Sequence, residues 1–164
     1  MEIWLSRKET SKQYEGGDSM KRYYIAYGSN LSQEQMARRC PTAKIVGTTT
    51  LKDWRLLFNG PASIERKEGY EVPVLIWEIM PTDEKSLDRY EGYPSYYRKE
   101  MLDIEINKSK EKAMVYIMNT YNESIPSDFY YEVLENGYKD FGFDLKILEK
   151  ALKESYERSR KNEI

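Results

Sequence analysis

Short apolar stretches alternate with polar turns through most of the chain, and this pattern predicts a series of strands and helices. Six strands are predicted, at residues 22–27, 45–51, 54–58, 72–80, 96–106 and 113–119. Residues 74–77 are apolar on both faces, which is typical of a central strand, and Pro73 is expected near the beginning of that strand. Lys52 and Asp53 are expected to separate the second strand from the third.

Four helices are predicted, of which those at residues 33–39 and 81–92 lie between strands and those at residues 127–138 and 144–156 follow the last strand. The last of them carries an apolar face made of Leu145, Leu148, Ala151 and Leu152. Because many adjacent strands have no helix between them, the pattern favours an α+β domain with a mixed, largely antiparallel sheet. A partly closed β-barrel with short flanking helices is the preferred form.

Residues 1–19 differ from the rest of the chain, because they are polar and unpatterned apart from Ile3, Trp4 and Leu5. We interpret them as an N-terminal extension outside the core, followed by a single domain over residues 20–164. One codon choice for residues 15–18 would encode a ribosome-binding sequence just ahead of Met20. Translation is therefore expected to begin naturally at Met20.

Charge and hydropathy narrow the classes of partner. The 164 residues include 26 Lys and Arg against 28 Asp and Glu, so the chain lacks the positive field that holds nucleic acid. No apolar run approaches the roughly 20 residues of a membrane span, and the first residues are too charged for a signal peptide. These observations predict a cytoplasmic protein that binds a small molecule and neither nucleic acid nor membrane.

The chain contains no histidine, which removes the commonest general base and the commonest transition-metal ligand. Its single cysteine, Cys40, excludes an intrachain disulfide, a Cys-rich zinc site and a Cys-His catalytic pair. We expect Cys40 to be a small buried residue, and we predict no metal site. Any acid-base chemistry should therefore depend on a carboxylate.

A candidate ligand-binding turn lies where the first strand gives way to the first helix. It consists of Tyr27, Gly28, Ser29, Asn30 and Leu31. Gly28 can adopt a positive φ and lets the backbone approach a ligand, while Ser29, Asn30 and Ser32 can cap the helix and leave N–H groups pointing outward. The turn suits a small carboxylate or a developing oxyanion, although an ordinary capped strand-to-helix turn explains the same residues.

A candidate acid-base group lies at the predicted end of helix 81–92. Gly92 is placed to end the helix and Pro94 prevents its continuation, so Glu91 should occupy the last turn. The partial negative charge of the helix end and desolvation by nearby tyrosines should both raise the pKa of Glu91. This would suit a general base, whereas a solvated glutamate on a turn is the alternative.

The two segments, in this order and at this separation, resemble the gamma-glutamylcyclotransferase superfamily, whose members carry Tyr-Gly-Ser-Asn-Leu and a later Glu-Gly after Leu-Asp. The likeness covers about residues 22–140 and includes Leu87-Asp88, Arg39-Cys40-Pro41, Trp54-Arg55-Leu56, residues 58–60, 62–64 and 74–77, Pro126-Ser127 and Tyr130. Residues 1–19 and the Tyr-rich loop after Gly92 depart from the family pattern. Selectivity for the substrate could differ in that loop.

The resemblance implies a gamma-glutamylcyclotransferase-like fold and an enzyme that cyclises a gamma-glutamyl amide to 5-oxoproline, releasing an amine or amino acid without a cofactor. It implies that residues 27–31 bind the glutamyl moiety and that Glu91 moves a proton from the substrate amine to the leaving nitrogen. Tyr130 would line the pocket, although a buried helix aromatic fits that position equally well. A non-catalytic binding module on the same fold and an enzyme removing a gamma-glutamyl group in a biosynthetic pathway stay open, as do the substrate and the oligomeric state.

Overall fold

The computed structural model describes residues 20–161, so the predicted extension at 1–19 lies outside the described residues. The strands are β1 (Arg22–Ala26), β2 (Lys44–Phe58), β3 (Ala62–Ile79), β4 (Tyr97–Ile106) and β5 (Ser109–Met118). The helices are α1 (Gln33–Arg39), α2 (Pro81–Glu91), α3 (Asp128–Phe141) and α4 (Leu145–Lys161), with a 3-10 turn at Ser29–Leu31. The described part of the chain is therefore an α+β domain, as the sequence predicts.

The strands form one sheet in the order β2-β3-β1-β5-β4. β1 pairs in parallel with β5, and the other neighbouring pairs are antiparallel. The sheet curls so that its two edge strands approach each other, since Ile106 of β4 packs against Gly47 of β2. The sheet does not close, which agrees with the predicted mixed, largely antiparallel and partly closed form.

The predicted strand boundaries are wrong in the β2–β3 hairpin. Residues 45–51 and 54–58 belong to one strand, because Lys52 and Asp53 form a bulge within β2 and do not end it. Asp53 has a φ of 66° and its carboxylate accepts a hydrogen bond from the Gly69 backbone N–H at 3.0 Å. β3 begins at Ala62, ten residues before the predicted start. The first half of β3 is mostly polar and pairs with β2 through backbone hydrogen bonds. Because such bonds do not require apolar side chains, the sequence pattern does not reveal this part of the strand.

Two packing contacts position the candidate site. Gly137 of α3 lies against Leu31, where an added Cβ would come within 2.6 Å of the Leu31 Cβ. Leu31 is completely buried, so this contact holds α3 directly against the 3-10 turn. On the other side, Cys40 is buried with its thiol facing the Asp83 carbonyl oxygen of α2, as expected for a small core residue. The first contact therefore holds the turn against α3, and the second joins the end of α1 to α2.

Candidate active site

A cavity of about 260 Å³ lies where β1, the 3-10 turn, the end of α2 and the start of α3 meet. Most of the predicted site residues line it, namely Tyr27, Gly28, Ser29, Asn30, Glu91 and Tyr130. Leu31, the last residue of the turn, is buried in the core and does not line the cavity. The fold thus brings together two segments, and a helix residue, that are far apart in the sequence.

Gly28 lies at a crowded point of the turn. Its φ is −124°, which corrects the expectation of a positive φ at this position. A Cβ at Gly28 would lie 3.1 Å from the Tyr130 hydroxyl oxygen and 3.5 Å from the Ala62 Cβ. Ser32 caps α1 as predicted, because its hydroxyl accepts the Gln35 backbone N–H. A side chain at residue 28 would therefore crowd the Tyr130 hydroxyl.

Asn30 is not a helix cap, which corrects the second expectation for this turn. Its side-chain oxygen accepts a hydrogen bond from Arg39 at 2.6 Å, and its side-chain nitrogen donates to the Tyr24 hydroxyl at 2.9 Å. The Trp77 indole also donates to the Asn30 carbonyl oxygen at 3.0 Å. Asn30 is buried, and these bonds fix it between α1, β1 and β3.

Tyr90 forms a partly exposed wall of the cavity. Its hydroxyl lies 3.0 Å from the Ser29 hydroxyl, so the side chains of the turn and of α2 meet directly. The Arg39 guanidinium stacks on the Tyr90 ring, 3.5 Å from its centroid. Arg39 also donates a hydrogen bond to Asn30, so this one side chain contacts both the turn and α2.

Glu91 is the last residue of α2, and the helix ends there because Gly92 adopts a left-handed conformation with a φ of 69°. The half-buried carboxyl group lines the cavity. No hydrogen bond or ion pair joins it to another residue between 20 and 161. Burial raises the pKa of Glu91 to about 7, and the positive charge of Arg39 opposes this shift only in part.

Four of the tyrosines that line the cavity interact electrostatically with the Glu91 carboxylate. They are Tyr24, Tyr27, Tyr97 and Tyr130. Burial is the main reason that each phenol has a raised pKa, and the negative charge of Glu91 raises each of these pKa values further. A carboxylate of near-neutral pKa thus lies among polar but uncharged hydroxyl groups.

Sequence reasoning missed Tyr24, Tyr116 and Arg39 as parts of this site. The Tyr116 hydroxyl donates to the Asp88 carboxylate at 2.6 Å, and Lys99 binds the same carboxylate at 2.9 Å. Tyr24 and Tyr116 sit in neighbouring strands and resemble ordinary core aromatics in the sequence. The one available signal was their hydroxyl groups, which require hydrogen-bond partners when buried.

Within residues 20–161, no group of three or more cysteine, aspartate and glutamate side chains is arranged to hold a metal ion. None of the helices in that range is long and apolar enough to cross a membrane.

The chain is similar to proteins of known family. The family described as "Gamma-glutamyl cyclotransferase, AIG2-like" matches residues 24–135. The gamma-glutamylcyclotransferase of Homo sapiens is 30% identical over 154 residues, covering 85% of this chain and 81% of the human protein. The gamma-glutamylcyclotransferase of Bos taurus is 30% identical over 141 residues, covering 77% of this chain and 75% of the bovine protein. A solved gamma-glutamyl cyclotransferase structure has a TM-score of 0.71 and 26% identity, covering 80% of this chain and 86% of its own.

Proposed function

The chain belongs to the gamma-glutamyl cyclotransferase, AIG2-like family, and from that membership we propose that it cyclises a gamma-glutamyl amide to 5-oxoproline with Glu91 moving the protons. Its relatives are gamma-glutamylcyclotransferases, so the chain is an enzyme of that general type. The observation that carries the finer proposal is a carboxyl group of near-neutral pKa, without a hydrogen-bond or ion-pair partner among residues 20–161, in the wall of a cavity.

The raised pKa of Glu91 fits the proton transfer that this reaction needs. An α-ammonium group has a pKa near 8 and an ordinary glutamate near 4.3, so the transfer costs about 5 kcal/mol with an ordinary glutamate. With the pKa of Glu91 at about 7, the cost falls to roughly 1.4 kcal/mol. Burial of this one carboxyl group thus removes most of the thermodynamic barrier to forming the nucleophile.

The proposed reaction balances without water or a redox partner. Glu91 takes one proton from the substrate ammonium, and the resulting amine attacks the side-chain carbonyl carbon to form the ring carbon–nitrogen bond. Glu91 then protonates the leaving nitrogen as the original carbon–nitrogen bond breaks. The remaining extra proton on the ring nitrogen passes to the released amine, which departs as an ammonium. Because attack is intramolecular, the protein mainly holds the substrate folded.

We propose that Tyr27, Gly28, Ser29, Asn30 and Tyr130 bind the glutamyl moiety, with Leu31 anchoring the turn in the core. Backbone N–H groups of a tight turn suit a carboxylate or a carbonyl oxygen, and Gly28 keeps this turn close to Tyr130. The chemistry uses acid-base and hydrogen-bonding groups that line the cavity, and the proposal assigns no cofactor. Gamma-glutamyl amides are the small-molecule substrates that these groups would recognise.

The direct test is formation of 5-oxoproline from a panel of gamma-glutamyl amino acids, gamma-glutamyl amines and glutathione. Turnover in any of these groups supports the proposal and identifies the leaving group that the cavity accepts. Binding of 5-oxoproline without turnover of any substrate would instead favour a non-catalytic module on the same fold. Absence of both would contradict the proposal.

The pKa of Glu91 predicts the acid limb of the pH profile. The free enzyme needs the carboxylate form, so kcat/KM should fall about tenfold per pH unit below the pKa of about 7. The measurement is kcat/KM for 5-oxoproline formation between pH 5 and 8. For a solvated glutamate, the acid limb would instead be centred near pH 4.3. An acid limb centred near 4.3 would contradict the burial of this group.

The same pKa shift predicts how stability depends on pH. Because the pKa of Glu91 is raised in the folded state, its stabilising contribution is complete below about pH 4.5 and is lost as the pH rises through about 7. Glu91→Gln removes that loss, so the variant should have a Tm a few degrees above the parent at pH 8 and an equal Tm near pH 4.5. Exposed Glu34→Gln is the control, and an equal Tm difference at both pH values would refute the assignment.

Gly28→Val should weaken 5-oxoproline binding and turnover more than folding. The Cβ of the added side chain would lie 3.1 Å from the Tyr130 hydroxyl oxygen and its methyl groups would crowd the site further. A misplacement of about 1 Å in a site can reduce turnover by on the order of 10²-fold. Titration of 5-oxoproline into the parent and the variant, followed by amide chemical shifts, measures the change. Ala37→Val on the exposed face of α1 is the control. Undisturbed shifts at residues 27–32 in the parent would refute the placement of the site.

A further inference from the structure

The hydroxyl groups that line the cavity differ in where their protons go. A tyrosine hydroxyl has one proton to donate and two lone pairs that accept. Three of these tyrosines already donate their protons within the protein. Tyr27 donates to the Tyr116 carbonyl oxygen at 2.7 Å, Tyr97 to the Ala62 carbonyl oxygen at 3.0 Å and Tyr116 to the Asp88 carboxylate at 2.6 Å. These three protons are not available to a ligand.

Tyr24 has the opposite arrangement, because its hydroxyl oxygen accepts a hydrogen bond from the Asn30 side-chain nitrogen. The orientation of the Asn30 amide is fixed, since Arg39 can only donate and therefore binds the amide oxygen. The amide nitrogen must then face Tyr24. Within residues 20–161 no acceptor takes the Tyr24 proton, and Tyr24 lines the cavity.

Tyr130 is arranged in the same way. Its hydroxyl oxygen accepts the Ala62 backbone N–H at 3.0 Å. This bond uses a lone pair of the oxygen and leaves the hydroxyl proton free to be donated to a ligand. No acceptor for that proton lies in the part of the chain that the structure describes. Burial raises the pKa of both phenols, so Tyr24 and Tyr130 keep their protons at neutral pH.

We propose that Tyr24 and Tyr130 donate their hydroxyl protons to the carbonyl oxygen of the reacting amide and together form the oxyanion site of this enzyme. The inference rests on the proposed function and names the groups that stabilise its transition state. When the amine forms the ring bond, the carbonyl electron pair moves onto oxygen, where the two hydroxyls stabilise the charge. The pair returns as the bond to the leaving nitrogen breaks, and both tyrosines end protonated.

Arg39 and Asn30 act as positioning residues in this arrangement. Arg39 fixes the Asn30 amide, and the amide leaves Tyr24 with its proton free for the cavity. A pre-set donor of this kind need not reorient as charge develops on the substrate, which is the main advantage of an oxyanion site. The geometry therefore links a cation of α1 to the reacting centre through two hydrogen bonds.

The first test compares Tyr24→Phe and Tyr130→Phe with the parent enzyme on a substrate that it turns over. Each variant should lower kcat by on the order of 10² to 10³, the usual loss for one oxyanion donor, with a smaller change in KM. The acid limb of the pH profile should stay in place, because Glu91 is unchanged. The control is Tyr138→Phe, since the Tyr138 hydroxyl is buried with no hydrogen-bond partner within residues 20–161. It should keep the parent kcat.

The second test leaves Tyr24 intact and redirects its proton. The carboxylate introduced by Asn30→Asp has no N–H to donate and should accept the Tyr24 proton, so kcat should fall about as far as in Tyr24→Phe. Combining the two substitutions should then cause little additional loss, since both remove the same donor. Rates are compared at the pH plateau of each variant, and thermal unfolding confirms that each is folded.

The outcomes separate this inference from the proposed function. A parent enzyme that is active while both phenylalanine variants stay within threefold of its kcat would overturn the donor assignment and leave the function standing. A shifted acid limb with an unchanged plateau would show that Tyr24 serves Glu91, which also overturns it. If the parent turns over no gamma-glutamyl amide, the proposed function fails, and the oxyanion site fails with it.

Discussion

Glu91→Gln should lower kcat for 5-oxoproline formation by on the order of 10² to 10⁴, the range expected when a general base is lost. The substitution keeps the size of the side chain and its place at the end of α2, but it removes the only group at this position that can take a proton. Tyrosines surround Glu91 in the cavity, and the chain has no histidine to replace it. The measurement is kcat on a turned-over substrate, beside thermal unfolding of the variant.

Binding separates this loss from a general disruption of the site. The variant should bind 5-oxoproline within a few-fold of the parent, because the turn at residues 27–31 and Tyr130 are unchanged. Glu34→Gln serves as the matched control, since Glu34 is exposed on α1 and should leave kcat unaltered. A folded Glu91→Gln protein that keeps more than about a tenth of the parent rate would defeat the assignment.

Arg55→Met should destabilise the protein by about 3 kcal/mol, which corresponds to a Tm lower by roughly 10 °C. Only 1% of the Arg55 side chain is exposed, and its guanidinium binds Glu65 at 2.6 Å, Glu123 at 2.7 Å and Glu154 at 3.0 Å. Burial lowers the pKa of Arg55, but the hydrogen bonds to these three carboxylates raise it by more. The net pKa is above the ordinary value, so Arg55 keeps its charge. Methionine fills a similar volume but leaves the three carboxylates without their shared cation.

The cluster around Arg55 joins β2 and β3 to α4 and to the segment before α3, so its loss should loosen the fold at a distance from the cavity. Thermal or denaturant unfolding measures the change. Arg38→Met is the control, because Arg38 is exposed on α1 and its 4.0 Å pair with Glu34 should contribute no more than about 0.5 kcal/mol. A loss below about 1 kcal/mol in Arg55→Met would show that water replaces the missing cation.

Some features of this protein follow from its sequence alone, because they depend on residues only a few positions apart. Ser32 caps α1 and Gly92 ends α2, so the sequence places Glu91 in a helix-end position. Apolar periodicity predicts the α+β class and the central strand within β3. The absence of histidine leaves a carboxylate as the candidate base. Each of these conclusions uses local backbone geometry or composition.

Other features are decided only by the tertiary structure, because they depend on groups that are distant in the chain. The first half of β3 is mostly polar, and its pairing with β2 depends on backbone contacts between the two strands. Asn30 resembles a helix cap in the sequence, but the packed fold offers it Arg39 and Tyr24 instead. Likewise, the Tyr24 hydroxyl oxygen accepts a hydrogen bond from Asn30 and the Tyr130 hydroxyl oxygen accepts one from the Ala62 backbone, which leaves both hydroxyl protons free. The chemistry of a hydroxyl depends on its neighbours in space, which local sequence patterns do not specify.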